Sequence, residues 1–394
     1  MMNFKLNKLY LTLLIPSVIS ASPFFLAYAL PFDVHKNWQE EYANVTDIGT
    51  LFADDSRNSF ATAVSADGTT VVGVADSDSS QKNAFIWRAG DNKITYLGPL
   101  SADNRGDSSA KAVSANGTTV VGLASSDSSQ KNAFIWRAGD KKMTSLGTLK
   151  ADNGGDSSAN AVSADGTTVV GAADSDSGQE NAFVWRTGDK KMTSLGTLKA
   201  DNSGRSYAFG VSADGTTVVG GASIDSGEEN AFVWHAGDNK MTGLGTLRAD
   251  NSGRSYAFGV SADGTTVVGV ADSDSGPENA FVWHAGDNKM TSLGTLKADN
   301  SGYSYAFGVS ADGTTVVGAA STDSGEQNAF VWRAGDNKMT SLGTLKADNS
   351  GYSFAHCISG DGSVIVGQSD TENGENHAVA WKVKYPESPT DVAP

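Results

Sequence analysis

Cys357 is the only cysteine in 394 residues, so no disulfide can form within the chain and packing alone must hold the fold. Histidine is also scarce, at five residues, and His235 and His284 merely replace Arg88 and Arg137 at one recurring position. Basic charge is in deficit, with 29 Lys and Arg against 45 Asp and Glu, a net charge of −16. A chain of this sign repels phosphate backbones and anionic bilayers, which excludes nucleic acid as an expected partner. The acidic balance fits a soluble exported protein and leaves room for divalent cations. Helical periodicity of useful length is missing. Beyond the first thirty residues no run is apolar and long enough to cross a bilayer.

Those first residues read as an export signal. Lys5 and Lys8 form a short positive region, an apolar stretch runs from Leu9 to Leu26, and Ala27-Tyr28-Ala29 offers the small-x-small pattern of a cleavage site. Pro16, Pro23 and the interspersed serines disfavour an uncleaved spanning helix. Cleavage after Ala29 removes Lys5 and Lys8 and takes the net charge to −18. After cleavage no membrane insertion is expected.

What the chain has is a repeat. Trp38, Trp87, Trp136, Trp185, Trp234, Trp283, Trp332 and Trp381 are spaced by 49 residues without one insertion. One period reads as four strands: Tyr256 to Ser261, Thr265 to Ala271, Asn279 to His284 and Met290 to Leu296. Asp-Gly and Gly-Asp-Asn between them are hairpin chemistry, because these residues tolerate positive φ at low cost. In Asn181-Ala182-Phe183-Val184-Trp185 both faces of the strand are apolar. A sheet wetted on one face would alternate apolar and polar residues; a sheet sandwiched between two neighbours would look like this one.

The expected fold is therefore all-β, a seven-bladed β-propeller of 49-residue, four-stranded repeats. The fourth-strand motif occurs seven times, beginning at Ile48, Leu97, Leu146, Leu195, Leu244, Leu293 and Leu342. The chain thus starts on a fourth strand and ends on a third, and Ile48-Gly49-Thr50-Leu51 can complete the blade built from Phe354 to Trp381. Such a ring leaves no free edge and is expected to be a monomer. An open β-solenoid is the alternative, although it gains nothing from that strand count. The division expected is a signal peptide over 1–29, a degenerate lead-in over 30–46, the propeller over 47–383 and a Pro-rich tail over 384–394.

At N-A-F-V-W, S-A-D-G-T-T-V-V-G and L-G-T-L the sequence resembles the HAF repeat family of extracellular bacterial proteins, from about Ile48 to Trp381. The resemblance implies export and, by analogy with some members, the passenger region of an autotransporter. It supplies no catalytic residues and no ligand. The family's histidine is Asn here at Asn83, Asn132, Asn181, Asn230, Asn279 and Asn328, and only His377 keeps it. A translocator barrel needs many alternating strands of about ten residues. The sequence ends in P-E-S-P-T-D-V-A-P, so a soluble exported protein or a passenger separated from its translocator is expected.

Candidate sites follow from the repeat. The acidic loop after the second strand places Asp76 and Asp78, Asp174 and Asp176, and Asp272 and Asp274 as candidate calcium ligands, though without the third carboxylate or bidentate Glu of a strong loop. The bland alternative is a solvated turn. Symmetry breaks on the first strand. Thr62, Lys111 and Asn160 give way to Phe209, Phe258 and Phe307 and then His356, while Phe60, Ser109 and Ser158 give way to Tyr207, Tyr256 and Tyr305 and then Phe354. The aromatic half is a candidate crescent for a glycan or a peptide; the alternative is drift among duplicated blades. Cys357 beside His356 replaces Ala63 or Gly210, which favours a small buried side chain over a nucleophile.

No unlike set of nucleophile, acid and base is apparent, and the carboxylates recur with the blades. The chain is expected to be an exported interaction or display module, extracellular, on the cell surface or periplasmic, without catalytic activity of its own. Its expected partner is a multivalent surface glycan or host-surface protein. The rival class is a propeller hydrolase or lyase acting on polysaccharide.

Overall fold

The computed structural model describes residues 42–383 apart from residues 50, 52–56, 78–80, 92–93, 99, 102–105, 129 and 337. The signal region, Trp38 and the Pro-rich tail lie outside the described residues, as does Asp78. Among the described residues the secondary structure is all strand: 28 strands form seven antiparallel sheets of four. Blade 5 is typical, with strands Ser255–Val260, Thr266–Asp272, Glu278–His284 and Lys289–Ser292 hydrogen-bonded in that order. The first strands of successive blades face one another in a closed circle around the ring axis. The protein is a seven-bladed β-propeller.

Blade stacking explains the apolar third strand. Phe183 and Trp185 of blade 3 pack on Ala133 and Ile135 of blade 2, and Ala182 and Val184 pack on Phe232 and Trp234 of blade 4. Each third strand is thus buried on both faces.

Two belts of hydrogen bonds stitch the blades together. In the S-A-D-G turns, Ala66 N–H donates to Ala115 O, Ala115 to Ala164, Ala164 to Ala213, Ala213 to Ala262, Ala262 to Ala311, Ala311 to Gly360 and Gly360 back to Ala66. The circle has no gap. Within the turn, the Asp67 carboxylate accepts from the Ser65 hydroxyl and from Thr69, and Gly68 takes φ +70°. The second belt uses the serine that opens each first strand. The amides of Ala84, Ala133, Ala182, Ala231, Ala280, Ala329 and Ala378 donate to the hydroxyls of Ser108, Ser157, Ser206, Ser255, Ser304, Ser353 and Ser59 on the following blade. These serines are buried, and a buried hydroxyl needs partners in both roles. Ser59, for example, donates in turn to Gly49 O at 2.7 Å.

Closure is as expected in kind, with a shift in place. The strand that completes blade 7 is Tyr42–Asp47, paired antiparallel to Asn376–Val383 from Tyr42↔Val383 to Asp47↔Val379. The boundary expected between lead-in and propeller at 46/47 therefore falls inside this strand. The L-G-T-L motif marks the end of each fourth strand and not its body. In blade 5 the Leu293 amide makes a last bond to Ala280 O, then Gly294 at φ +76° turns the chain out of the sheet.

Candidate functional site

Every first strand carries a bulge, for example between Ala61 and Ala63 and between Ala257 and Gly259. The extra residue breaks strict alternation. That residue is the symmetry-breaking one, and the seven of them form a ring about the axis: Thr62, Lys111, Asn160, Phe209, Phe258, Phe307 and His356. In the aromatic half neighbours touch ring to ring, Phe209 to Phe258 at 5.7 Å, Phe258 to Phe307 at 5.8 Å and Phe307 to His356 at 5.6 Å between centroids. The polar half is joined by hydrogen bonds. Thr62 donates to Ala110 O at 2.9 Å, Lys111 Nζ to Asn160 Oδ1 at 2.9 Å, and Asn160 Nδ2 to Ala208 O at 2.8 Å. Phe209 and Phe258 are only 6% and 3% exposed, so these phenylalanines help plug the channel. This corrects the expectation that they belong to an accessible crescent.

The residues two positions earlier form a second, half-buried ring: Phe60, Ser109, Ser158, Tyr207, Tyr256, Tyr305 and Phe354. Tyr207, Tyr256, Tyr305 and Phe354 lie nearly parallel over Phe209, Phe258, Phe307 and His356, with centroids 6.1–6.4 Å apart. Around them stand the residues that open the third strands: Lys82, Lys131, Glu180, Glu229, Glu278, Gln327 and Asn376. The tyrosines bond across to the preceding blade. Tyr256 Oη donates to Glu229 Oε2 at 2.6 Å, Tyr305 Oη to Glu278 Oε2 at 3.3 Å, and Tyr207 bonds Glu180.

This mouth has three sectors, each pairing one blade with the next. Lysines accompany serines (Lys82 with Ser109, Lys131 with Ser158), glutamates accompany tyrosines, and the neutral amides Gln327 and Asn376 accompany Phe354 and Phe60.

Burial dominates the electrostatics here. It raises the Glu180 and Glu278 carboxyls above the usual carboxylate range. It pushes the Tyr207 phenol up to about 12, with Glu180 and Glu229 adding to the effect, and raises Tyr256 and Tyr305 further. Burial lowers Lys111 to about 8 against the opposing pull of Glu180, while Lys131 lowers it further. Cys357 is 1% exposed and burial pushes its thiol up to about 12, so it is an inert thiol and not a nucleophile.

His356 is lowered to about 4 by burial, against a raising hydrogen bond from Gln368. The unfolded chain takes up this proton near the ordinary value of 6.5, whereas the folded chain resists until about 4. Stability is therefore lost as pH falls through that window, by roughly 3 kcal/mol in total. Replacing His356 with Asn, the residue blade 3 carries as Asn160, should flatten the fall in melting temperature between pH 7 and 4.5. Thermal melts across that range check this, and an unchanged slope would contradict the burial of the imidazole.

The acidic loops have a structural task. Asp174 Oδ2 accepts from the Asp156 amide at 3.2 Å and Asp272 Oδ2 from the Arg254 amide at 3.1 Å; Asp76 Oδ2 faces the Asn58 amide at 3.4 Å. Where the residue is Ser223 or Ser321, its hydroxyl accepts the same backbone bond. Asp176 and Asp274 likewise cap the amides of Ala151 and Ala249. Among the described residues no group of three His, Cys, Asp or Glu side chains converges as a metal site would. An open cleft between Leu247, Ser273, Asn279, Met290 and Asn300 is lined by residues that mostly recur in other blades, so it offers no chemistry of its own.

No protein-family model matches the chain, and no curated protein matches it. Solved structures similar in fold include a β-propeller domain. The β-propeller domain of the Trilobed protease from Pyrococcus furiosus, described as having an open velcro topology, is 9% identical with a TM-score of 0.50, covering 85% of this chain and 99% of that one. A structure from work on two prolyl endopeptidases is 12% identical with a TM-score of 0.55, covering 84% of this chain and 51% of that one. TolB from Acinetobacter baumannii is 11% identical with a TM-score of 0.41, covering 81% of this chain and 65% of that one. The chain thus spans about half the length of the endopeptidase and just under two thirds of TolB. At these identities the first two likenesses concern the fold alone.

Proposed function

We propose that this protein is an exported binding module, without catalytic activity of its own, that engages a surface glycan or host-surface protein through the channel mouth. One observation carries the reading. The seven blades repeat S-A-D-G-T-T-V-V-G and N-A-F-V-W with few changes, yet the side chains at the mouth change sector by sector. Other exposed positions vary as well, but at the mouth the changes are matched across each blade junction, a first-strand side chain changing together with the residue that opens the third strand of the preceding blade. The three adjacent Glu–Tyr pairs present the same aromatic and acidic chemistry three times, which suits a partner with repeated units. The leader from Lys5 to Ala29 and the likeness to HAF repeats support export.

The absence of catalysis rests on the same geometry. His356 is stacked between aromatic rings and Cys357 is buried beside it with its thiol on the Ile358 carbonyl, so neither faces the mouth as an acid, base or nucleophile. Glycan arrays and cell-binding assays on the mature chain test the reading. Binding should fall in Tyr256→Ser, which installs the residue that blades 2 and 3 already carry there, and amide-exchange protection should map to the mouth. Protection on the opposite face, or turnover of polysaccharide or peptide by the purified chain, would overturn it.

A further inference from the structure

The lysine sector of the mouth is unlike the rest of the molecule. Lys111 is the one charged residue in the inner ring at neutral pH, because the other places hold Thr62, Asn160, three phenylalanines and the buried His356. Lys82 and Lys131 stand at the rim beside it, and Lys131 lies near enough to act on the Lys111 ammonium. None of the three forms an ion pair among the described residues; the ion pairs present are elsewhere, such as Lys150 with Asp174 and Arg254 with Glu228. The side chains above Lys111 are Ser109 and Ser158, where other blades place Tyr or Phe. Serines in place of rings leave room for a notch on this side, over the Lys111 ammonium.

We propose that this notch binds the carboxylate of an acidic sugar, with Lys111 at the floor and Lys82 and Lys131 at the rim. The proposal rests on the mouth being the binding site, as argued above, and names the ligand class for it. Lys111 spends one donor on Asn160 Oδ1, which also accepts from Ser158 Oγ at 2.9 Å, and its ammonium carries further hydrogens to give. A buried ammonium beside a second one, with Glu180 acting on it but not in ion-pair contact, costs stability that a neutral residue would spare. Its depressed proton affinity reflects that cost. A bound carboxylate would offset it through charge-assisted hydrogen bonds.

The walls favour a sugar as the bearer. Half-buried rings flank the notch, Phe60 on one side, with the Lys82 ammonium 5.8 Å from its centroid, and Tyr207 on the other, and aromatic rings suit the apolar face of a pyranose. Ser109, Ser158 and Glu180 offer partners for hydroxyls. Glu180 also repels a second anionic group, so one negative charge on one sugar fits better than a polyanion.

The probe is a disaccharide ending in glucuronic acid, compared by calorimetry with its methyl ester and with the uncharged glucosyl disaccharide. The acid should bind about tenfold or more tightly than either, and more weakly at high salt. Lys111→Met should lose about tenfold or more of that affinity while melting at the same or a higher temperature at pH 7, because Asn160 Oδ1 keeps Ser158 as a partner. Equal affinity for acid and ester, or an unaffected Lys111→Met, overturns the proposal. Displacement by acetate at the sugar's own concentration overturns the sugar assignment. If acidic and neutral sugars bind alike and Tyr256→Ser abolishes both, the mouth remains the binding site and only the lysine notch fails. If no array glycan or cell surface protects the mouth, the broader reading fails with it.

Discussion

A chain that begins at residue 48 should melt about 10 °C or more below one that begins at residue 42, and should associate at high concentration. The two differ only by the closing strand Tyr42–Asp47, so the comparison isolates closure from everything upstream. Without that strand Asn376–Val383 becomes a free edge, and its backbone groups and Trp381, now 1% exposed, meet water. Each lost backbone bond is worth roughly 1 kcal/mol and the uncovered Trp adds about 2 kcal/mol or more. In a chain of this size that sum corresponds to a shift of the size stated. Association follows because a bare strand edge is a template for a second chain. Scanning calorimetry with sedimentation decides it. Equal melting temperatures and two monomers would mean that the two hydrogen-bond belts close the ring unaided.

Gly269→Ala should be the most damaging single-methyl change in blade 5. A Cβ there would lie 1.9 Å from the Tyr256 carbonyl oxygen and 2.9 Å from both Ala257 Cα and Phe281 Cε1. The bulge of the first strand drives that carbonyl towards the glycine, and neither backbone can yield without breaking the strand pair. The expected loss is about 3 kcal/mol or more. Gly286→Ala, with nothing within 4 Å of the added methyl, should change stability by less than about 0.5 kcal/mol. Denaturant titration of the two variants tests the pair, and similar losses in both would contradict the close approach at Gly269.

That glycine shows where sequence reasoning stopped. The tryptophan comb at 49 residues and the doubly apolar N-A-F-V-W strand carried enough information for the fold, because each reports a spacing or a face directly. The mouth was harder. The aromatic change from Thr62 to Phe209 was visible, but alternation along the strand could not say that a bulge turns these positions into the axis. One signal was present: Phe209, Phe258 and Phe307 are each followed by Gly, while Thr62, Lys111 and Asn160 are each followed by Ala. A Cβ on Gly210 would come within 3.1 Å of the Phe258 carbonyl of the next blade, so the pairing of Phe with Gly records the crowding of first strands.

The pairing of lysine with serine and glutamate with tyrosine was legible too, at a spacing of 27 residues, but only blade stacking explains why those positions meet. The acidic loops admitted two readings. Carboxylates at fixed spacing suit calcium and suit backbone amides equally, and the interchange of Asp174 with Ser223 at one position favoured the amides.

Blades this similar raise a problem of identity. Any of the K-M-T-S-L-G strands fits nearly any blade, so a folding ring has many wrong partners of almost equal merit, including those of another chain. The seventh blade differs. Its third strand carries His377 where the other six carry Asn, and His377 Nδ1 lies 2.6 Å from Asp47 Oδ2 on the closing strand. In blades 2 to 6 the asparagine reaches instead to a glycine carbonyl on the blade that follows, as Asn132 does to Gly155. The closing junction thus carries a histidine–aspartate contact of its own, where the third strands of blades 2 to 6 offer an amide to a carbonyl, so the last seam is marked by chemistry and not by shape alone.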